Sequence, residues 1–270
     1  MKYIFLDIDG TLLDHDTFSI PESAKQAITS AKSKGNKVFI STGRTCCMLD
    51  VVEDIEYDGV ISASGARVTV GDEVLYEEKI EADALKNILD CCNDQEVAYI
   101  LEGQNGVYMD DKVNLYFNQR SGKKDEPHEF FTQAIFHKAA EYREDEELIY
   151  KLSLYALEEE KLFKIKELLE EKYHVVFGRV NEKYPYGAEL TLKTTNKASG
   201  VKRILRHLKA SMVDTIAIGD SLNDLEMIKE CGVGIAMGNA DERLMAHADF
   251  VTDKIGSHGI YKAFEQYRLI

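Results

Sequence analysis

At 270 residues the chain is long enough for a well-buried core and for one or two domains. A net charge of −15 argues against nonspecific nucleic-acid binding, which needs a basic surface, and no apolar run approaches the ~20 residues that span a bilayer. No nucleic acid, membrane or obligate protein partner is therefore expected. A cytoplasmic location follows by default, because the N-terminal apolar run is short, broken by Asp7 and Asp9, and makes no signal-peptide core. The five cysteines, Cys46, Cys47, Cys91, Cys92 and Cys231, form no Cys-x-x-Cys and are odd in number, so reduced thiols are expected rather than a disulfide framework or a zinc site.

Tyr3-Ile4-Phe5-Leu6 reads as a buried strand, and two carboxylates, Asp7 and Asp9, stand where it ends, before the Gly10-Thr11 turn. A carboxylate at the carboxyl end of a buried parallel strand is costly unless a cation or a set of donors meets it. In open α/β sheets that edge is where ligands bind. The same residues also suit an ordinary turn begun by Asp. Pro21 then opens a helix whose Ala24, Ala27, Ile28 and Ala31 share a face, and Gly35-Asn36 ends it.

Lys37-Val38-Phe39-Ile40 is a second strand, followed by Ser41-Thr42-Gly43-Arg44. Strand, helix, strand predicts a parallel pair with a right-handed crossover, which brings Asp7, Asp9 and the Ser41–Arg44 turn to one sheet edge. Hydroxyls, glycine-flanked N–H groups and an arginine suit a phosphate oxyanion, although the tetrapeptide alone reads as a plain turn. Tyr57–Ser62 supplies another strand running into Ala63-Ser64-Gly65-Ala66. Val68, Val70 and Val74-Leu75-Tyr76 then flank a Gly71-Asp72 hairpin turn.

The character changes over residues 83–187. Ala84, Leu85, Ile88 and Leu89 predict a helix, and Val97–Leu101 and Gly106–Met109 predict paired strands. Residues 118–147 are charged, with Phe130, Phe131, Ile135 and Phe136 as their apolar clusters. Ile149–Ala156 alternates as a strand, Glu158–Tyr173 predicts an amphipathic helix with Leu162, Ile165, Leu168 and Leu169 on one side, and strands follow at His174–Phe177 and Ala188–Leu192. Helices mixed with hairpins read as a separate α+β domain, residues 83–187, inserted into a parallel-sheet α/β domain made of residues 1–82 and 188–270.

After the insertion, Lys197 sits near the start of a helix carrying Val201, Ile204, Leu205 and Leu208, a position friendly to anions. Taken alone, such a lysine is more often a solvated side chain than a catalytic one. Val213–Ile218 is a strand ending in Gly219-Asp220-Ser221-Leu222-Asn223-Asp224, again carboxylates where a strand meets a turn. Leu225, Met227 and Ile228 continue as a helix, and strands at Gly232–Met237 and Asp249–Thr252 complete the pattern.

Asp7-x-Asp9, Ser41-Thr42, Lys197 and Gly219-Asp220 with Asn223-Asp224 are each modest signals alone, but their order and placement are specific. With Asp-Ile-Asp-Gly-Thr-Leu-Leu, Ser-Thr-Gly-Arg and Gly-Asp-Ser-Leu-Asn-Asp-Leu-Glu-Met-Ile in hand, the sequence resembles the haloacid dehalogenase superfamily, in particular its Cof-type phosphatases (subclass IIB). The likeness runs over essentially the whole chain, with the inserted domain matched in layout only.

The resemblance implies a Rossmann-like core with an α+β cap, and Mg²⁺-dependent hydrolysis of a small phosphorylated metabolite such as a sugar phosphate or a nucleotide-like cofactor. It implies Asp7 as nucleophile and Asp9 as acid and base, its proton favoured by the neighbouring Asp7 charge. Mg²⁺ would be held by Asp7, the Asp9 carbonyl and Asp220. The phosphoryl oxygens would meet Thr42 or Ser41, Gly43, Lys197 and Asn223, with Asp224 orienting from behind and Arg44 as a substrate contact. Ser64-Gly65-Ala66 stands where the family commonly has Asn-Gly-Ala, which weakens an amide contact there. A phosphomutase or phosphotransferase of the same plan, or a phospho-ligand sensor without turnover, are the competing expectations.

Overall fold

The computed structural model describes residues 1–121, 135–178 and 185–270. They divide into two compact units. One comprises Met1–Arg44, Met48–Glu77 and Thr195–Ile270, and the other comprises Thr45–Cys47 and Glu78–Thr194.

In chain order the first unit opens with β1 (Tyr3–Leu6), α1 (Glu22–Ser33), β2 (Lys37–Ser41), β3 (Gly59–Ser62), β4 (Arg67–Val70) and β5 (Glu73–Glu77). The second unit holds α2 (Ala82–Asp94), β6 (Ala98–Gly103), β7 (Val107–Met109), α3 (Asp111–Ser121), β8 (Phe136–Lys138), β9 (Ile149–Ala156), α4 (Glu159–Leu169), β10 (Tyr173–Phe177) and β11 (Tyr186–Leu192). The chain returns with α5 (Lys197–Leu208), β12 (Thr215–Gly219), α6 (Leu225–Glu230), β13 (Val233–Ala236), α7 (Glu242–Met245), β14 (Phe250–Val251) and α8 (Gly259–Gln266).

The sheet of the first unit runs β14-β13-β12-β1-β2-β3-β4-β5. β1 lies between β12 and β2, parallel to both, with Leu6 beside Ile218 on one side and Ile40 on the other. Ile4, Phe5 and Leu6 are wholly buried, which explains why this strand reads as a continuous apolar run rather than an alternating one. Phe5 stacks on Phe39 with ring centroids 5.0 Å apart. Truncating such a side chain to alanine costs about 3–5 kcal/mol.

From β1 the order steps towards β2 and β3, while β12 steps the other way to β13 and β14. The order therefore reverses between β1 and β12, and in open α/β sheets such a reversal is where ligands bind, beyond the carboxyl ends of the strands. Asp7, Thr42 and Asp220 each follow directly on the last residue of a strand at that edge. The β4–β5 hairpin turns at Gly71, whose φ of +53° glycine adopts readily.

The second unit carries a sheet of order β10-β11-β9-β6-β7-β8, antiparallel except where β8 joins β7. Leu85, Ile88 and Cys92 of α2 and Leu162 and Ile165 of α4 form its core with Leu152, Leu154 and Leu190. The apolar stripe of α4 continues to Leu169, whereas Leu168, expected on the same side, is 59 % exposed. Three helices have no counterpart in the expectations from sequence: α3, α8 and α7, which is only four residues long. In α3 only Val113, Tyr116 and Phe117 are buried, too sparse a stripe to stand out among Asp, Lys, Asn and Gln. The start of α8 is masked by flanking glycines and by His258, which caps it in the left-handed region at φ +65°. Phe130 and Phe131 lie outside the described residues. The five cysteines form no disulfide, and among the described residues no helix is long and apolar enough to cross a membrane.

Candidate active site

β1 and β12 continue their ladder one residue past the strand, where the Asp7 N–H donates to Ile218 O at 3.0 Å. This fixes Asp7 at the carboxyl end of β1, where it is 4 % exposed. The Gly219–Asp224 turn supplies Asp220 and Asp224, also buried, and carboxylate oxygens of Asp7, Asp220 and Asp224 lie within 4.8 Å of one another.

Lys197 enters from the first turn of α5. The Asn196 side chain accepts from the Ser199 N–H at 2.7 Å and the Ser199 hydroxyl approaches the Asn196 N–H, a reciprocal cap that anchors this helix end. The Lys197 Nζ donates to Asp7 Oδ1 at 2.7 Å, Asn223 Oδ1 at 2.9 Å and Asp224 Oδ1 at 2.5 Å, using all three of its protons.

The electrostatics of the cluster follow from burial and charge count. Burial pushes the Asp7 carboxyl up. Lys197 opposes this, while Asp224, Asp220 and Asp9 add to it, and the result is a carboxyl well above the ordinary range. Burial also disfavours the Lys197 charge, but Asp224 and Asp7 outweigh it and hold the ammonium above its usual range. One ammonium does not neutralise three carboxylates, so the site favours a further cation. An all-carboxylate oxygen set suits a hard divalent ion of the Mg²⁺ type. The oxygens are not equally available. Asp224 gives Oδ1 to Lys197 and Oδ2 to the N–H groups of Asp220 and Ser221, both at 3.1 Å. Asp220 lies against the Gly10 turn, where φ is +80° and a Cβ would stand 2.3 Å from Asp220 Oδ2. A side chain at residue 10 would displace that carboxylate.

Asp9 points elsewhere. Arg44 grips it with a two-pronged fork, Nε to Oδ2 at 2.8 Å and Nη2 to Oδ1 at 2.7 Å. Burial pushes the Asp9 carboxyl up, but the hydrogen bonds and charge of Arg44, helped by His15 and Lys197, bring it below the ordinary carboxylate range. The expectation of a raised Asp9 carboxyl is thus corrected, because the guanidinium in contact outweighs burial, the largest upward influence. The fork of Arg44, expected on substrate, is occupied by Asp9.

The Ser41–Arg44 turn closes the same edge. The Thr42 N–H donates to Ile61 O, and its Oγ1 accepts from the Arg44 N–H at 3.1 Å, leaving the Thr42 proton for another acceptor. Ser41 is fully buried, and its hydroxyl meets no partner among the described residues. Gly43 bends the chain between Thr42 and Arg44. Ala63, Ser64 and Gly65 follow β3 with φ of +48°, +53° and +95°, three left-handed residues in a row beside the site. The Ser64 N–H donates to Thr42 O at 3.0 Å. A Cβ on Gly65 would stand 2.3 Å from Asn196 O, so glycine allows this turn to reach the start of α5.

Sequence reasoning did not single out Asn239, whose Nδ2 donates to Gly10 O at 2.7 Å. The Gly238-Asn239 turn at a strand end was its only signal. Tyr108, conceivable as a pocket residue, gives its hydroxyl to Glu147 Oε2 at 3.4 Å and packs against His137 and Tyr142. Of the two other tyrosine and arginine side chains that the sequence offers for a pocket, with core or surface roles preferred, Tyr99 is half-buried in β6 and Arg179 lies outside the described residues.

The family model of the haloacid dehalogenase-like hydrolases matches residues 4–264. The chain is 31 % identical to YkrA of Bacillus subtilis over 100 % of this chain and 98 % of that protein. It is 29 % identical to the 5-amino-6-(5-phospho-D-ribitylamino)uracil phosphatase YcsE of Bacillus subtilis, over 100 % and 96 % of the two chains. Among solved structures, BT1666 from Bacteroides thetaiotaomicron, studied among the phosphatases of this superfamily, superposes with a TM-score of 0.83 at 28 % identity, over 100 % of this chain and 96 % of its own. The subclass IIB sugar phosphatase BT4131 superposes with a TM-score of 0.80 at 28 % identity over 100 % of both chains. Strand order, the carboxylate–lysine cluster and these likenesses agree: the chain belongs to the haloacid dehalogenase-like hydrolases, among their Cof-type phosphatases.

Proposed function

We propose that the chain hydrolyses a small phosphomonoester with Mg²⁺, by way of a phosphoaspartate on Asp7. The observation that carries this reading is the buried Asp7–Lys197–Asp224 cluster with Asp220 beside it, at the carboxyl ends of β1 and β12. Asp7 and Asp220, with the Asp9 carbonyl, would hold the cation, which when bound offsets the repulsion between a carboxylate and a phosphate dianion. Thr42, the Gly43 N–H and Asn223 serve the phosphoryl oxygens, with Ser41 behind Thr42, and Lys197 joins them by turning one of its three N–H groups from a present acceptor to the phosphate.

In the first transfer an Asp7 oxygen bonds to phosphorus as the ester P–O bond breaks, and Asp9 gives its proton to the leaving oxygen. In the second, Asp9 takes a proton from water, the water oxygen bonds to phosphorus, and the P–O bond to Asp7 breaks. Phosphate leaves and Asp7 is restored. The grip of Arg44 keeps Asp9 ionised at rest, so Asp9 takes up a proton from solvent once the guanidinium has moved off it, and this is the proton it gives to the leaving oxygen. An arginine fork suits a phosphorylated ligand as an alternative partner.

For the substrate, a phosphorylated sugar or sugar-like chain is favoured. BT4131 is named as a sugar phosphatase, and YcsE is named for a phosphoribityl compound. The test is phosphate release across sugar phosphates, phosphoribityl compounds and nucleotide-like cofactors, with and without Mg²⁺, in wild type and Asp7→Asn. Release is expected from wild type with Mg²⁺ alone. Equal release from both proteins would sink the mechanism, and transfer to a sugar acceptor without net phosphate release would favour a mutase.

A further inference from the structure

The Gly10 turn, between the residues read as acid and base and as metal ligand, is held by a side chain no motif reading assigns. Asn239 follows β13. Its Nδ2 donates to Gly10 O at 2.7 Å, and its Oδ1 accepts from the Ile255 N–H at 3.2 Å. One amide thus ties the turn after β1 to the turn after β14. The Gly10 N–H is separately bonded to Leu13 O at 3.0 Å, so both peptide groups of Gly10 are fixed. The same stretch steadies Asp220, because the Asp241 N–H donates to Asp220 O at 2.9 Å and the Met237 N–H to Gly219 O at 3.0 Å. Gly10 and Asp220 are packed so closely that a methyl at residue 10 would overlap the carboxylate. Rotation of the Gly10 peptide would therefore move the Asp9 main chain on one side and press on Asp220 on the other.

We infer that Asn239 is a positioning residue for the reaction, its Nδ2–H holding the Gly10 carbonyl so that the Asp9 main chain and the Asp220 carboxylate keep their places. The inference rests on the reading of Asp7, Asp9 and Asp220 as the reacting centre. The two halves of the amide have separable duties. The oxygen, on Ile255, joins two turns and serves stability, whereas the nitrogen, on Gly10, serves the site.

Asn239→Asp separates them, since a carboxylate keeps the acceptor for Ile255 and loses the donor to Gly10. Asn239→Ala loses both. Turnover and KM are measured with p-nitrophenyl phosphate and Mg²⁺, alongside thermal unfolding and amide hydrogen exchange of the peptide covering residues 7–13, with Asp7→Asn as the control. For Asn239→Asp the expected result is kcat down about 10–100-fold, KM within about threefold, and an unfolding temperature near that of wild type. Exchange confined to residues 7–13 should quicken about fivefold, as loss of one hydrogen bond implies. Asn239→Ala should lose the same kcat and unfold at a lower temperature. The inference is overturned if exchange over residues 7–13 is unchanged in Asn239→Asp, if kcat stays within twofold of wild type, or if kcat simply follows unfolding temperature across the variants. If Asp7→Asn is dead while Asn239→Asp is unaffected, only the role of Asn239 fails. If Asp7→Asn turns over normally, the reading of the whole site fails with it.

Discussion

Two buried lysines, one in each unit, show how differently the same chemistry is used. Lys197 is 1 % exposed and Lys151 is 3 % exposed, and both are held above the usual lysine range because carboxylates outweigh the cost of burial. Lys151 sits in the middle of β9. It meets Glu102 directly across the β6–β9 pair at 3.4 Å and Glu189 of β11 at 2.9 Å, while Ser153 Oγ donates to Glu102 at 2.5 Å. Every partner stands on a neighbouring strand, so the cluster is a cross-strand tie. Lys197 instead gathers partners from the end of β1 and the turn after β12, all at strand ends. Turns at strand ends leave room for a ligand, and mid-strand neighbours do not. Burial of a lysine is thus no mark of function by itself, and the position of its partners along the sheet is.

Removing each ammonium should separate the two clusters. Lys197→Met is expected to lower kcat at least about 10³-fold, as removal of a charge-stabilising donor and its buried partners would. It should also destabilise the first unit, because Asp7 and Asp224 are left buried together. Lys151→Met should lower stability by about 3–5 kcal/mol, read by urea unfolding, because Glu102 is stranded without its counter-ion. Adding Glu102→Gln should recover part of that loss, since burial already pushes the Glu102 carboxyl up and a neutral amide removes the stranded charge. If the double variant were no more stable than the single one, the account of Lys151 as a charge tie would be wrong.

Asp58 offers a milder contrast, a half-buried carboxylate tied to a strand start rather than an end. Burial pushes it up, but hydrogen bonds from Lys37, Lys32 and the Val38 N–H bring it below the ordinary range. A depressed carboxylate contributes stability that is complete above its unfolded value and is lost as pH falls through its folded value. Asp58→Asn should therefore cost about 1 kcal/mol at pH 7. The gap to wild type should close as pH falls below the unfolded value of about 4. The smallest effect is expected at Ser64, where serine occupies the left-handed region at φ +53°. Ser64→Gly should raise stability by about 0.5–1 kcal/mol, seen as a higher unfolding temperature.

The strand ends were legible in the sequence because charge interrupts apolar runs there. Asp7 and Asp9 after Tyr3–Leu6, and Asp220 after Val213–Ile218, could not be mistaken for core. The insertion was legible from the loss of the β–α rhythm. Pairwise partners were not. Lys151 and Ser153 alternate with Leu152 and Leu154, a pattern that reads as a solvent face until Glu102 and Glu189 are seen across the sheet. The grip of Arg44 on Asp9 spans 35 positions and reverses the direction expected for the Asp9 carboxyl. Asn239 is fixed to Gly10 over 229 positions, with only the Gly238-Asn239 turn to announce it. The α3 helix escaped notice because only three of its side chains are buried.

The central claim is that Asp7 itself receives the phosphoryl group. Wild-type protein mixed briefly with a turned-over sugar phosphate and Mg²⁺, quenched in acid and mapped by peptide mass, tests it directly. The account predicts one added phosphoryl group on the peptide containing Asp7, absent from Asp7→Asn. Phosphate release at the wild-type rate from Asp7→Asn, with no phosphorylated Asp7 peptide in either protein, would contradict it.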